Sequence, residues 1–159
     1  MIEPDFIRYL SDLVPGVVSH LVDRYQIQHS NGDVSTIWLR TEESFVPSEL
    51  AGLDGFYRFF DGADLLSSTF KIASTKASRR LNGVEITPTL SELLELSQGK
   101  LPGNLQDCIP FMTEAGVWIY LFDPNTSIIR KWNLEDGEEC DSYLSLNAVI
   151  EEWVDVVGG

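Results

Sequence analysis

The sequence predicts an α+β fold in a single domain, with helices packed on a mostly antiparallel or mixed sheet. Three observations carry that prediction. Strand-like segments come as hairpins, with helical segments between them rather than in strict alternation. Both apolar periodicities occur, period 3.6 and period 2. The chain has 159 residues, and no repeat, low-complexity tract or linker divides 1–159.

Each element follows from its residues. Asp5 to Val14 reads as an amphipathic helix, because Phe6, Leu10, Leu13 and Val14 recur at helical spacing before Pro15-Gly16 breaks the pattern. Val17, Val18, Leu21, Val22 and Tyr25 then form a second helical stripe, with Pro15 suited to a first turn. Tyr25 to Arg40 reads as a β-hairpin about a type I′ turn at Asn31-Gly32. Val46 to Asp61 is a further helical region, with Leu50, Leu53, Phe56 or Tyr57, and Phe60 on one face and Gly62 as its stop. Thr69 to Ala73 and Gly83 to Ile86 are short strands flanking a polar, basic loop.

Thr87 to Ser97 is a helix with Leu90, Leu93, Leu94 and Leu96 inward, started by Thr89 with Glu92 or by Thr87 with Pro88. Gln98 to Asn104 is a loop. Ile109-Pro110-Phe111 leads through Glu114-Ala115-Gly116 to a strand from Val117 to Phe122, a turn at 123–126 and a paired strand from Ile128 to Trp132. An acidic loop, Glu135 to Asp141, precedes a closing helix from Leu146 to Val157, N-capped by Ser145. Its inner face is read as Leu146, Val149, Ile150, Trp153 and Val157.

Composition narrows the function classes. The chain is 43% hydrophobic and 23% charged, which excludes disorder, collagen and coiled coil. At this length about 68–70% of the unfolded surface is buried, so a core needs neither disulfide nor metal. The longest apolar run, Val117 to Phe122, falls far short of the roughly 18 residues of a membrane span. Acids at Glu3 and Asp5 and the lack of an apolar run behind them argue against a secretory signal, and the expected compartment is the cytoplasm. Charge is the extreme feature: 25 acids against 11 bases give −14. Nucleic acid and anionic membranes are therefore not expected partners. The acidity reads either as solubility or as a match to a basic protein face.

Catalytic motifs are absent. There is no nucleophile elbow, phosphate-binding loop or dinucleotide fingerprint. Two Cys and two His, none paired at short range, do not make a zinc site, and no cofactor is expected. Cys108 and Cys140 read as reduced, inert small hydrophobes, His20 as a helix-surface residue and His29 as lying beside the hairpin turn. Asp61-Gly62-Ala63-Asp64 fails as a calcium loop, because the twelfth position falls on Ile72. The terminal Gly158-Gly159 reads as a helix C-cap. Lys71, Lys76, Arg79 and Arg80 form the basic stretch, read as a solvated loop with phosphate binding as the weaker alternative.

Val46-Pro47-Ser48-Glu49-Leu50 running on through Phe56-Tyr57-Arg58-Phe59-Phe60 to Asp61-Gly62-Ala63-Asp64-Leu65, then Ile109-Pro110-Phe111 with the Val117–Phe122 and Ile129–Trp132 hairpin, then the helix opened by Ser145-Leu146, form three segments that in this order resemble the SUKH superfamily. The resemblance covers residues 46–157. Residues 1–45 depart from it, with an added or diverged hairpin at Asn31-Gly32. It implies a mixed α+β fold without catalysis and, by the habit of bacterial members, an immunity protein that blocks a cognate toxin, often a nuclease.

The expected function is therefore a cytoplasmic immunity protein that binds a toxin domain with a basic face. Glu135, Asp136, Glu138, Glu139 and Asp141 are the candidate partner-binding residues, because 133–159 holds no Lys or Arg. Trp132 is read as core rather than anchor. The alternatives are an interaction or regulatory module without a toxin partner and a small enzyme with a carboxylate site.

Overall fold

The computed structural model describes residues 4–41, 47–50, 52–53, 55–75 and 77–158. Val46, Lys76 and Gly159, and the side chain of Cys140, lie outside that description. The strands are β1 (Gly16–His20), β2 (Arg24–His29), β3 (Val34–Leu39), β4 (Phe60–Leu65), β5 (Phe70–Ile72), β6 (Arg79–Leu81), β7 (Val84–Thr87), β8 (Ile109–Glu114), β9 (Trp118–Asp123), β10 (Ile128–Asn133) and β11 (Glu138–Tyr143). The helices are α1 (Asp5–Leu13), α2 (Phe56–Phe59), α3 (Leu90–Ser97) and α4 (Leu146–Trp153).

Nine strands form one sheet in the order β1-β2-β3-β4-β5-β8-β9-β10-β11, and every pairing in it is antiparallel. The sheet is a meander interrupted once, between β5 and β8, by the β6–β7 hairpin and α3. The fold is α+β and sheet-dominated. The sheet leaves two edges, β1 and β11, at opposite ends of the order.

Both faces carry a core. On one, Ile7 and Leu10 of α1, Phe56 and Tyr57 of α2 and Val149 and Ile150 of α4 pack on Ile27, Ile37, Phe70, Tyr120 and Ile129. On the other, Leu93 of α3 packs with Leu105 and Cys108 on Ile119, Leu121 and Trp132. The alternation along β9 divides Tyr120 and Phe122 from Ile119 and Leu121, so this strand reads as a continuous apolar run buried on both sides. Each such side chain contributes about 1.5–3 kcal/mol of burial.

Several expectations hold. α1 occupies the predicted span and α3 begins with a full capping box between Thr89 and Glu92. Ser145 caps α4 by accepting from the Ala148 N–H at 3.1 Å. Others need correction. The stripe from Val17 to Tyr25 is not a helix but the edge strand β1 and the turn into β2. Val17 and Val18 favour strand, and Gly16 permits the pairing: a Cβ there would lie 2.6 Å from the Gln28 carbonyl oxygen and 2.8 Å from the His29 Cα. The β2–β3 hairpin is present, but its turn is not type I′. Among 30–33 only Gly32 is left-handed, with φ +98°, and the loop closes by the Gly32 N–H bonding the His29 carbonyl at 3.0 Å.

The region read as a helix ending at Asp61 is, where described, a 3₁₀ turn at Ser48–Leu50 and the single turn α2. Gly62 is left-handed at φ +97°, but inside β4 rather than at a helix end. There Asp61 and Gly62 oppose Trp38 alone, a β-bulge with its glycine in the left-handed position. The bulge aims Asp61 at the 74–79 segment, where its carboxylate accepts from the Thr75 N–H at 2.7 Å and pairs with Arg79 at 2.8 Å. The basic stretch is accordingly no solvated loop at Arg79, which pins the β6–β7 hairpin to the sheet. In α3, Leu93 is inward, but Leu94 and Leu96 are exposed. After α4 the backbone widens into a π turn, Val154–Gly158, which leaves Val157 outward rather than inward.

Candidate functional site

The five predicted acids are brought together on the β10–β11 hairpin, though not in a loop. Glu135 and Asp136 occupy its turn, which Asn133 organises: its Oδ1 accepts the N–H groups of Glu135 and Asp136 at 2.8 and 3.0 Å. Glu138, Glu139 and Asp141 belong to β11, an edge strand. This corrects the expected acidic loop. Acidic residues are poor strand formers, and the neighbouring β10 supplies the backbone pairing that local sequence does not.

The register shifts between Lys131 and Trp132, so Asp141 faces Lys131 and Glu139 faces Trp132, with Cys140 the extra residue. All five acids are exposed. Glu139 pairs with Arg130 at 3.2 Å, and Asp141 accepts from the Ser142 N–H at 3.1 Å. The hairpin remains strongly acidic, because Asn133 to Gly159 holds no cation.

Three exposed apolar residues follow on this edge and after α4, two of them without a sequence expectation and the third, Val157, expected inward. Leu144, directly after β11, is 85% exposed, and Val156 and Val157 of the π turn are 77% and 63% exposed. Between β11, the sheet and α4 runs a cleft of about 240 Å³ lined by Glu114, Tyr120, Lys131, Tyr143, Glu152, Trp153 and the two valines. Cross-strand pairing sets Tyr120 opposite Lys131. The Tyr120 hydroxyl donates to Glu114 Oε1 at 2.6 Å, and Lys131 Nζ stands 3.5 Å from the same oxygen and 4.6 Å from the centre of the Trp118 ring.

Burial first, and then the carboxylates of Glu114 and Glu152 that accept from them, push the phenols of Tyr120 and Tyr143 far above the usual range. Both phenols therefore stay protonated, as hydrogen-bond donors rather than bases. Carboxylates with aromatic faces suit a cationic side chain, and Lys131 of the chain itself sits among them.

The other candidates resolve into structure. Trp132 is 5% exposed in the second core, as expected, and its indole N–H meets no partner among the described residues. Cys108 is buried, and burial followed by the nearby Asp123 charge pushes its thiol up to about 11. It is no nucleophile at neutral pH. His20 sits on β1, not on a helix, stacked on Tyr25 at 4.3 Å. His29 is buried: Nδ1 lies 2.7 Å from the Val14 carbonyl and Nε2 2.8 Å from Ser35 Oγ. A carbonyl only accepts, so Nδ1 carries the proton and Nε2 accepts from Ser35. This ring joins the end of α1 to β2 and β3.

Asp61 and Asp64 are buried acids bound within the fold, Asp61 as above and Asp64 by the Ser68 N–H and hydroxyl, each at 2.7 Å. Burial raises the Asp64 carboxyl while the Ser68 bonds oppose the rise. Among the described residues no group of three or more His, Cys, Asp or Glu could hold a metal ion, and no helix is long and apolar enough to cross a membrane. The chain matches no family model, no curated protein and no solved structure.

Proposed function

We propose that this chain is a non-catalytic binding protein of the SUKH kind, a cytoplasmic immunity protein that neutralises a toxin domain with a basic face. The observation that carries the reading is what one sheet edge exposes: the five acids of the β10–β11 hairpin, Leu144 directly after β11, and Val156 and Val157 in the cleft that Tyr143 of β11 lines. A protein interface needs an apolar centre that excludes water and a polar rim, and charge complementarity steers the encounter. A nuclease cleft is basic because it holds phosphates, so an acidic edge is complementary to it.

A second reading keeps the surface and drops the toxin. Charges and a bulge on an edge strand also block edge-to-edge pairing, which a regulatory module would need as much as an immunity protein. The test begins with the gene neighbourhood, where a toxin-tipped gene next door supports the first reading and an isolated metabolic operon argues against it, and proceeds by co-expression with that neighbour's toxic domain. Rescue of growth, lost when Leu144 and Val156 are both changed to Asp, supports the first reading. No rescue, together with capture of a housekeeping protein by the same surface, replaces it with the second.

A further inference from the structure

β1, the opposite edge of the sheet, has half of its backbone turned to the outside. The Leu21 N–H donates to the Arg24 carbonyl at 2.8 Å, and the Ser30 N–H to the Pro15 carbonyl at 2.7 Å. Residues 15 and 21 thus turn their backbone groups toward β2. The register between them is unbroken from Gly16↔His29 to His20↔Tyr25. Antiparallel bonding alternates, so Val17 and Ser19 face β2 as well, while Gly16, Val18 and His20 point N–H and C=O away from the sheet. The side chains alternate too. Pro15, Val17, Ser19 and Leu21 share one side of the strand, and all four are exposed, Val17 at 72%.

We propose that this edge pairs antiparallel with the same edge of a second copy, about a two-fold axis at Val18. In that register Val18 meets Val18, and Gly16 of each chain meets His20 of the other. Each pair exchanges both of its N–H···O bonds, so every outward group of the strand is bonded. On the exposed side Val17 comes opposite Ser19 of the copy and diagonal to its Leu21, within reach of side-chain contact.

Charge selects a second copy at this edge. Residues 15–22 contain no Asp, Glu, Lys or Arg, although the chain carries −14, so the paired strands oppose no like charges. The acidic β11 lies at the far end of the nine-stranded order, so its acids do not border the paired strands. The same pairing through β11 would set Glu138, Glu139 and Asp141 against themselves. β1 also lacks the devices that close an edge: no charge, no proline within Gly16–His20 and no register shift. Strands of this length bury less surface than an obligate dimer, so the association is reversible and concentration-dependent.

Sedimentation equilibrium of the whole chain from about 10 µM to about 1 mM, a range that brackets weak association, reads the proposal directly. The mass should rise from 17.9 kDa toward twice that value. Val18→Pro removes an outward N–H and leaves the β1–β2 ladder intact, so it should stay monomeric, with its fold kept and its melting temperature lowered only by the changed packing of a half-buried side chain. Val17→Lys, at an exposed position, should weaken association about two- to fivefold, the effect of setting two new like charges diagonally across the paired strands. Amides of Gly16, Val18 and His20 should exchange more slowly as concentration rises. A wild-type mass fixed at 17.9 kDa overturns the proposal, even if a foreign extended peptide binds the edge. Association by another face, unchanged in Val17→Lys, overturns it too, and that variant decides the matter if Val18→Pro fails to fold.

Discussion

The two edges of the sheet are built on opposite plans. β1 is uncharged from Gly16 to His20, runs in unbroken register with β2 and leaves Val17 outward, with Val22 exposed in the turn that follows. β11 carries Glu138, Glu139 and Asp141, is bulged opposite Lys131 and Trp132, and is flanked by the acidic turn at Glu135 and Asp136. An edge strand is a template for another strand unless charge, bulge or cover closes it. One edge here carries the charge and bulge that close a strand to addition, whereas the other keeps outward N–H and C=O groups without them. The difference locates the charge of the chain: eight acids and no Lys or Arg fall between Asn133 and Gly159.

The largest expected effect undermines one edge from below. Trp132→Ala empties the core beneath β10 and should cost about 3–5 kcal/mol in a denaturant titration. Trp132→Phe should cost clearly less, because it also removes an indole N–H that meets no described partner. A loss under about 1 kcal/mol for the alanine variant would mean the indole is not core.

Gly16→Val attacks the other edge. Its Cβ meets backbone at 2.6 Å, which no side-chain rotation relieves, and the strain should cost about 1–3 kcal/mol. Amide exchange should then show β1 released while β9 and β10 stay protected. Equal loosening across the sheet would show that β1 is not separable.

Alkali should act through the buried interior near β11. The folded chain holds the Cys108 proton up to about 11 and the Tyr120 and Tyr143 protons higher still. An unfolded thiol releases its proton near pH 8.5. Between those values the native state binds more protons than the unfolded one, so this stability is complete below about pH 8.5 and is lost as pH rises toward 11. Urea midpoints should fall over that window, and Cys108→Ala should flatten the decline. A flat wild-type profile contradicts the assignment.

The smallest effect on folding is expected at the acids themselves. Changing Glu135, Asp136, Glu138, Glu139 and Asp141 to their amides should shift stability by no more than about 0.5 kcal/mol per site, since exposed charges seldom do more. Its effect belongs to the association rate with a basic partner, largest at low salt and fading as ionic strength rises. A wild-type rate at low salt for the five-fold variant would leave Leu144, Val156 and Val157 as the binding face alone.

Two Asn-Gly pairs show where local reading stops. Asn31-Gly32 carries the type I′ signature, but only Gly32 is left-handed. Asn82-Gly83, between β6 and β7, has both residues left-handed, at φ +53° and +79°, and is a two-residue hairpin turn, where the sequence predicts the end of a loop and a strand beginning at Gly83. The dipeptide permits the turn, and the register of the flanking strands decides whether it forms. The candidate site divides in the same way. Its charge was legible, because acidity is a property of composition. Its apolar half was not: the placement of Leu144, Val156 and Val157 depends on where β11 ends and on the π turn that rotates the last residues away from the face α4 buries.

What the sequence determined by itself is local or additive. The helix starts at Thr89 and Ser145 follow from side chains reaching backbone groups three residues away, the core strand β9 from a run of apolar residues, and the acidic character from residue counts. Tertiary structure decided what depends on a distant partner. Val17 to His20 became strand because β2 offered a ladder to a glycine with no Cβ in the way. Glu138 to Asp141 became strand because β10 stood beside them. A short segment's intrinsic preference is worth about 1 kcal/mol or less per residue, and a ladder of hydrogen bonds with a packed face outweighs it.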